Sequence, residues 1–417
     1  MKLELSKQYL TQSKQLFPGG NTFSKTSFFD QGVTPFALSH GKGSQVWDVD
    51  GNRYTDFMLG LGCVNLGYCF EDVDNAITEQ LQKGLSFSLP HPLETQVAQK
   101  LVTLIPCAEM VRFAKNGSDV LSAAVKLARY ITRKDHVVSC GYHGWHDWCI
   151  ANTSRPGGVP DATRGLTHRF VYNDIDSLEQ TIQKLDNQVA CVVMDVVARY
   201  YPEPGFLERV RELTEKHGII LIFDEIITGF RIHSGGAQAF FNVTPDLACF
   251  GKALANGMPI SALVGKSQYM CQFDDLFFSL TFAGETLSLS AANAVLNLYR
   301  RIDVPEDLYE KGSHLWKGLT ELLKKHNLNC LFELQGMPSR IILGVKSSLD
   351  SNFFTENEDI IHQLFFLMTQ RLAELGILFS VSMFISYSHT YKDLDLFLSC
   401  FDEMCTSLEA EINHCLS

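Results

Sequence analysis

Between residues 111 and 223 short apolar runs alternate with stretches whose apolar residues recur every three or four positions. The runs Val111-Arg112-Phe113-Ala114-Lys115, His136-Val137-Val138-Ser139-Cys140, 188–194 and 219–223 predict strands. Near-continuous apolar character means burial on both faces, as in a parallel sheet. The periodic stretches predict helices. One opens at Asn116-Gly117-Ser118-Asp119 and runs through Ala123, Ala124, Val125, Lys126, Leu127, Ala128 and Arg129; another starts at Pro204-Gly205-Phe206-Leu207 and ends at His217. Strands alternating with helices are the sign of an α/β fold with a doubly wound, mostly parallel sheet.

Outside this region the pattern differs. Residues 5–16 read as an amphipathic helix stopped by Pro18-Gly19-Gly20. Residues 45–54 read as a hairpin with Asp50-Gly51 in its turn. The glycine-rich stretch 59–67 has no helix pattern after it, as a dinucleotide loop would need, and implies close backbone packing near a ligand or a partner subunit. Helices are expected at 72–83 and 93–105, separated by Ser86-Phe87-Ser88-Leu89-Pro90-His91-Pro92, whose prolines exclude regular structure. Residues 154–165, with two prolines and three glycines, read as a mobile surface loop. Beyond Asp303 the pattern becomes α+β, with helices at 306–325, 360–375 and 394–412 and strands at 330–334 and 340–345. The expected organisation is an N-terminal segment (1–60) packing with a small C-terminal domain (302–417), and a large domain (61–301).

A length of 417 residues favours two or three domains, and 46% apolar content supports a sizeable core. A net charge of -12 without any Lys/Arg-rich run argues against nucleic acid and anionic membranes as partners. Apolar runs fall far short of the ~20 residues of a membrane span. The twelve cysteines form no C-x-x-C pair, and the first seventeen residues lack the apolar core of a secretory signal. Reduced thiols in a cytoplasmic protein are therefore expected.

The chemistry centres on Leu221-Ile222-Phe223-Asp224-Glu225. Two carboxylates end a buried strand, where open α/β sheets bind ligands. A Walker B acid and a plain helix cap have the same local form. Further on, Lys252 lies among small and apolar residues in Phe250-Gly251-Lys252-Ala253-Leu254-Ala255-Asn256-Gly257. A desolvated lysine becomes a nucleophile toward carbonyls. Acid, then lysine, is the pair that pyridoxal 5'-phosphate (PLP) requires: a Schiff-base lysine and an acidic partner for its pyridine nitrogen. The turn at Gly117 and Ser118 is either a phosphate cradle at a helix start or a capping motif. His143 and His146 have no nearby cluster of ligand types, so no metal site is expected. Trp145 and Trp148 are expected to be packing residues. A nucleotide-hydrolysing enzyme would need a glycine-rich loop ending Gly-Lys-Ser/Thr, which the chain lacks.

These segments together resemble the class III aminotransferases of the fold type I PLP architecture, in the branch of the glutamate-1-semialdehyde aminomutases. The resemblance extends from Pro18-Gly19-Gly20 to Ser388-His389-Thr390. It implies that Lys252 carries PLP, that Asp224 pairs with the ring nitrogen and that Gly117 and Ser118 cradle the phosphate. It implies that Tyr142 of Tyr142-His143-Gly144 stacks on the ring, and that residues 86–92 and 154–165 approach or gate the entrance. Thr281 would reach the phosphate in the neighbouring subunit, making a homodimer with its active site at the interface; a strand-end structural threonine is the other reading. The substrates implied are a small-molecule amino donor and a carbonyl acceptor. Three departures stand out: Asp119 and Val120 for Glu-Ala, and Asp195-Val196-Val197-Ala198-Arg199-Tyr200 where the family has Glu-Pro and then Ala-Gly-Asn. The last puts substrate identity in question, and with Glu285-Thr286 it favours an aminotransferase over an intramolecular aminomutase.

Overall fold

The structure, a computed structural model, describes residues 1–18, 33–186, 188–346, 351–409 and 411. The expected helix stop at Gly19-Gly20 and the expected helix end at residue 412 lie outside them. The chain divides into two units, residues 71–306 and residues 1–70 with 307–417.

Residues 71–306 are built on a seven-stranded sheet. Its strands are β1 (Met110–Ala114), β2 (His136–Cys140), β3 (Thr167–Arg169), β4 (Val189–Asp195), β5 (Ile220–Asp224), β6 (Leu247–Phe250) and β7 (Ser261–Gly265). They lie in the order β1-β7-β6-β5-β4-β2-β3. Neighbours from β6 to β3 pair in parallel, while β7 runs antiparallel to both β6 and β1. Every residue of β5, β6 and β7 is buried, as a sheet covered on both faces requires.

The helix α1 (Gly117–Thr132) packs on this sheet. Its Val120, Leu121, Ala124, Val125, Leu127 and Ala128 share one core with Val137, Cys191, Val193, Ile222, Leu247 and Leu263. Each fully buried aliphatic side chain there contributes about 1.5–3 kcal/mol. The packing sets where the strands stop. In register, Asp195 of β4 lies beside Asp224 of β5, and Cys140 of β2 beside Met194. The carboxyl ends of β2, β4 and β5 thus finish level, and the chain leaves the sheet at Gly141, Val196 and Glu225.

In the second unit, Leu38–Lys42, Gln45–Asp48 and Arg53–Asp56 form a sheet with Ile377–Leu378. The expected hairpin is there, with Val46 opposite Tyr54 and Gly51 at φ +85° in the turn. Phe332–Met337, Arg340–Val345 and Ser382–Phe384 make a three-stranded antiparallel sheet, and the helices Val304–Lys325, Ser351–Glu374 and Tyr391–Ser407 complete the unit. The glycines of 59–67 pack closely, as expected, but against their own chain: a Cβ on Gly67 would stand 2.2 Å from Ser388 Oγ. Residues 154–165 also differ from expectation, since Asp161–Gly165 is helical and Val159 is buried.

Candidate active site

The two acids at the end of β5 point apart, because successive side chains of a strand alternate faces. The Glu225 carboxylate accepts from the Thr228 hydroxyl and from the N–H groups of Ala237 (2.8 Å) and Gln238 (2.9 Å). Its work is local: it holds the turn after the strand. Asp224 is 5% exposed and faces the loop after β2. Its Oδ1 accepts the Ile226 N–H at 3.1 Å, and its Oδ2 lies 2.8 Å from His143 Nδ1.

His143 is the residue of this site whose place beside Asp224 the sequence reading passed over. It is 2% exposed, with Nδ1 on Asp224 and Nε2 3.0 Å from the Cys140 carbonyl. Burial pulls its pKa down. The Asp224 hydrogen bond and the charges of Asp195 and Asp224 outweigh this, and the ring ends above its ordinary value. The Trp148 ring lies parallel to it, centroids 6.3 Å apart. His146 goes elsewhere, its Nδ1 2.6 Å from Ser122 Oγ, so the two histidines share no ligand. Trp148 packs as expected, whereas Trp145 is 70% exposed. His143, Asp195 and Asp224 present ligand atoms within 4.8 Å of one another, a spacing that can hold a metal. Both ring nitrogens of His143 are already engaged by oxygens, which makes this a hydrogen-bonded cluster.

Ile226 gathers the remaining residues. A Cβ on Gly117, the first residue of α1, would meet the Ile226 side chain at 3.2 Å; one on Gly251 would meet its Cδ1 at 3.1 Å. The helix start and the residue before Lys252 therefore pack on the Ile226 side chain, while the acid of β5 takes the N–H of the same residue. Lys252 is half-buried and opens the 3-10 turn Lys252–Ala255 at φ +41°. A lysine in the left-handed region costs about 1–2 kcal/mol, and such strain concentrates at functional positions.

The turn at α1 is built twice over. Asp119 Oδ2 accepts the Asn116 N–H at 2.8 Å, and Ser261 Oγ donates to the Asn116 carbonyl at 2.8 Å. Aspartate in place of glutamate at 119 thus keeps a capping function. The helix then presents its first N–H groups, with the dipole favouring an anion. Gly144, at φ +104°, lies over this turn; a Cβ there would stand 2.1 Å from Ser118 Oγ. The arrangement fits a phosphorylated heterocycle: anion donors at α1, a carboxylate at β5, a lysine between glycines and a backbone kept bare where Gly144 meets Ser118. Tyr142 leads into the same loop with its ring 70% exposed. Thr281 stands apart, exposed in the turn before the helix Thr286–Tyr299. The strand-end reading of Thr281 fails, because residues 275–285 contain no strand.

The aminotransferase class-III family model matches residues 28–363. A 3-aminobutyryl-CoA aminotransferase of Cloacimonas acidaminovorans is 39% identical over 321 residues, covering 75% of this chain and 77% of that protein. A glutamate-1-semialdehyde 2,1-aminomutase of Methanosphaera stadtmanae is 33% identical over 436 aligned positions, covering 98% of this chain and all (100%) of that one. Among solved structures, an omega-transaminase from Sphaerobacter thermophilus has the same fold, with a TM-score of 0.85, 24% identity and coverage of 96% and 97% of the two chains.

Proposed function

The chain belongs to the class III aminotransferases, PLP enzymes of fold type I, and from that premise we propose that Lys252 and Asp224 are the residues that carry its reaction. The observation that supports this most is the packing of Gly117 and Gly251 on Ile226, whose N–H binds Asp224. Lys252 would hold the cofactor through Nζ, and Asp224 would accept from its ring nitrogen. The N–H groups of Gly117 and Ser118 and the Ser118 hydroxyl would bind the phosphate; Tyr142 would cover the ring face. Bound there, PLP supplies an electron sink for the carbanion left when a carbon–hydrogen bond next to the amine is broken.

Lys252 is the base of the reaction. Once the donor's amine has released it, Nζ would take the proton from the donor's carbon and deliver it to the carbon on the far side of the amine nitrogen. Its turn holds it in place between Gly251 and the buried Ala253, Leu254 and Ala255. Asp224 stays fixed by Ile226 and His143, so its carboxylate needs no reorganisation as charge moves.

The transfer runs from an amino donor to a separate keto or aldehyde acceptor. The relative named for 3-aminobutyryl-CoA supports a donor whose amine is beta to an acyl carbonyl. Intramolecular transfer, as in the relative named for glutamate-1-semialdehyde, is the second reading; its support is coverage of nearly the whole chain. The enzyme works in the cytoplasm as a homodimer, in which Thr281 serves the other subunit's phosphate. The eleven described cysteines are all free, and no helix among the described residues is long and apolar enough to cross a membrane.

Absorbance spectra with PLP test the first part. The wild type gains a visible band that borohydride bleaches while fixing the cofactor to the chain, and Lys252→Ala does not; cofactor fixed to that variant sinks the assignment. A donor offered alone tests the second. Release of a carbonyl product with conversion of the cofactor to its aminated form supports transfer between molecules. An isomer of the donor with no released carbonyl overturns it.

A further inference from the structure

We propose that Asp195 and His143 are positioning residues that decide where the proton beside Asp224 resides. His143 is held as imidazolium between Asp224 and Cys140, and Asp195 is the second carboxylate that keeps the shared proton on the ring. The inference rests on the reading that Asp224 serves the cofactor's ring nitrogen.

The Cys140 carbonyl can only accept, so the proton on Nε2 of His143 is spent there, across 3.0 Å. One more proton lies in the 2.8 Å gap between Nδ1 and Asp224 Oδ2. It has two places. On oxygen, the O–H bond forms, the N–H bond breaks, and Asp224 is a neutral acid facing a neutral ring. On nitrogen, Asp224 is a carboxylate facing a cation. Asp195 tips the balance. It is the neighbour of Asp224 in register on β4, and its carboxylate lies within 4.8 Å of both groups. A negative charge at that distance favours the cation on the ring.

The backbone is shaped for Asp195. Gly141 adopts φ +111°, and a Cβ there would stand 2.2 Å from Asp195 Oδ2. The Tyr142 N–H points at the same oxygen from 3.4 Å. Of the other groups around His143, the Trp148 ring is neutral, burial pushes the thiols of Cys149 and Cys140 up to about 11 and about 12, and the one cation felt at both thiols is Arg169. Counted without Arg169 at its margin, the two carboxylates and one imidazolium of the cluster itself sum to one negative charge, the complement of a protonated heterocycle.

The proton can be read directly without cofactor, by NMR of the apoprotein labelled with ¹⁵N-histidine. In the wild type both nitrogens of His143 carry protons at pH 7. In Asp195→Asn, Nδ1 loses its proton at a pH lower by about one unit or more. With PLP added, the same variant loses about tenfold in kcat while KM stays within about twofold. A bare Nδ1 in the wild type at pH 7, or an unchanged titration in Asp195→Asn, overturns the proposal. Should that variant fail to fold, Asp195→Ser removes the same charge and is read the same way. The NMR result can fail while the Lys252 adduct forms, and the adduct can fail while the NMR result holds, so the two readings fall separately.

Discussion

At the scale of single residues, the site depends on atoms that are missing. Gly144 combines φ +104° with a hydrogen where any Cβ would stand 2.1 Å from Ser118 Oγ. Gly144→Ala therefore strains the backbone and displaces the hydroxyl. The expected cost is about 1–3 kcal/mol in urea unfolding, with a weaker PLP affinity by direct titration. The double variant Gly144→Ala with Ser118→Gly removes the clash and recovers part of the stability, but not the affinity. Recovery of both would show that Ser118 makes no cofactor contact. Residues of this kind were legible in the sequence because the chemistry prescribes their types: an acid after a strand, a lysine between glycines, Gly-Ser at a helix start. His143 was not. Its partner Asp224 is 81 positions away, and the local signal, histidines at i and i+3 without other ligand types nearby, gave His143 no role.

At the scale of elements, the helix Thr286–Tyr299 begins where an acid makes it begin. Glu285 accepts from the N–H of Leu287 (2.5 Å) and Ser288 (3.3 Å) and pairs with Lys115 Nζ at 2.9 Å; both side chains of the pair are 16% exposed. The apolar pattern of the helix carries no mark of this cap. Glu285→Ala loses the cap and leaves Lys115 half-buried without its carboxylate, which costs about 1–3 kcal/mol. Glu285→Gln keeps an acceptor for the N–H groups and should cost about half as much. Equal melting temperatures for the two variants would assign the whole effect to the ion pair. The same limit hid β3, β6 and β7. β3 and β6, with three and four residues, are too short for a period to register; β7 has five, but Ser261 and Gly265 at its ends leave only three apolar residues between them. The more apolar strands β2, β4 and β5 were readable to within a residue or so, since continuous apolar runs state their own burial.

At the scale of the molecule, burial pushes acids and bases in opposite directions, and stability against pH sums the two. His389 is 1% exposed; its Nδ1 accepts from the N–H and hydroxyl of Ser386, both at 3.0 Å, and its ring lies 4.6 Å from that of Phe57. Burial pulls its pKa down to about 4. Asp56 and Glu225, equally buried, are pushed up by burial although hydrogen bonds oppose the shift. For the two acids the folded chain keeps protons that the unfolded chain has lost, so their contribution weakens as pH rises above the ordinary carboxyl range, about 4. For His389 the sign is reversed. The unfolded imidazole takes a proton below about 6.5, the folded one does not, and stability falls with pH until the folded ring titrates as well. The loss is nil above pH 7 and approaches about 3 kcal/mol at pH 4. Urea unfolding of the wild type and of His389→Gln, taken in steps from pH 7.5 to pH 4, separates the terms, because both proteins retain Asp56 and Glu225. The glutamine accepts from Ser386 but does not titrate, so the wild type should lose stability relative to it as acid is added. A difference that stays flat over that range would mean that His389 titrates alike in the folded and unfolded chain, and any acid sensitivity would then have to come from other groups, since Asp56 and Glu225 favour the folded chain as pH falls.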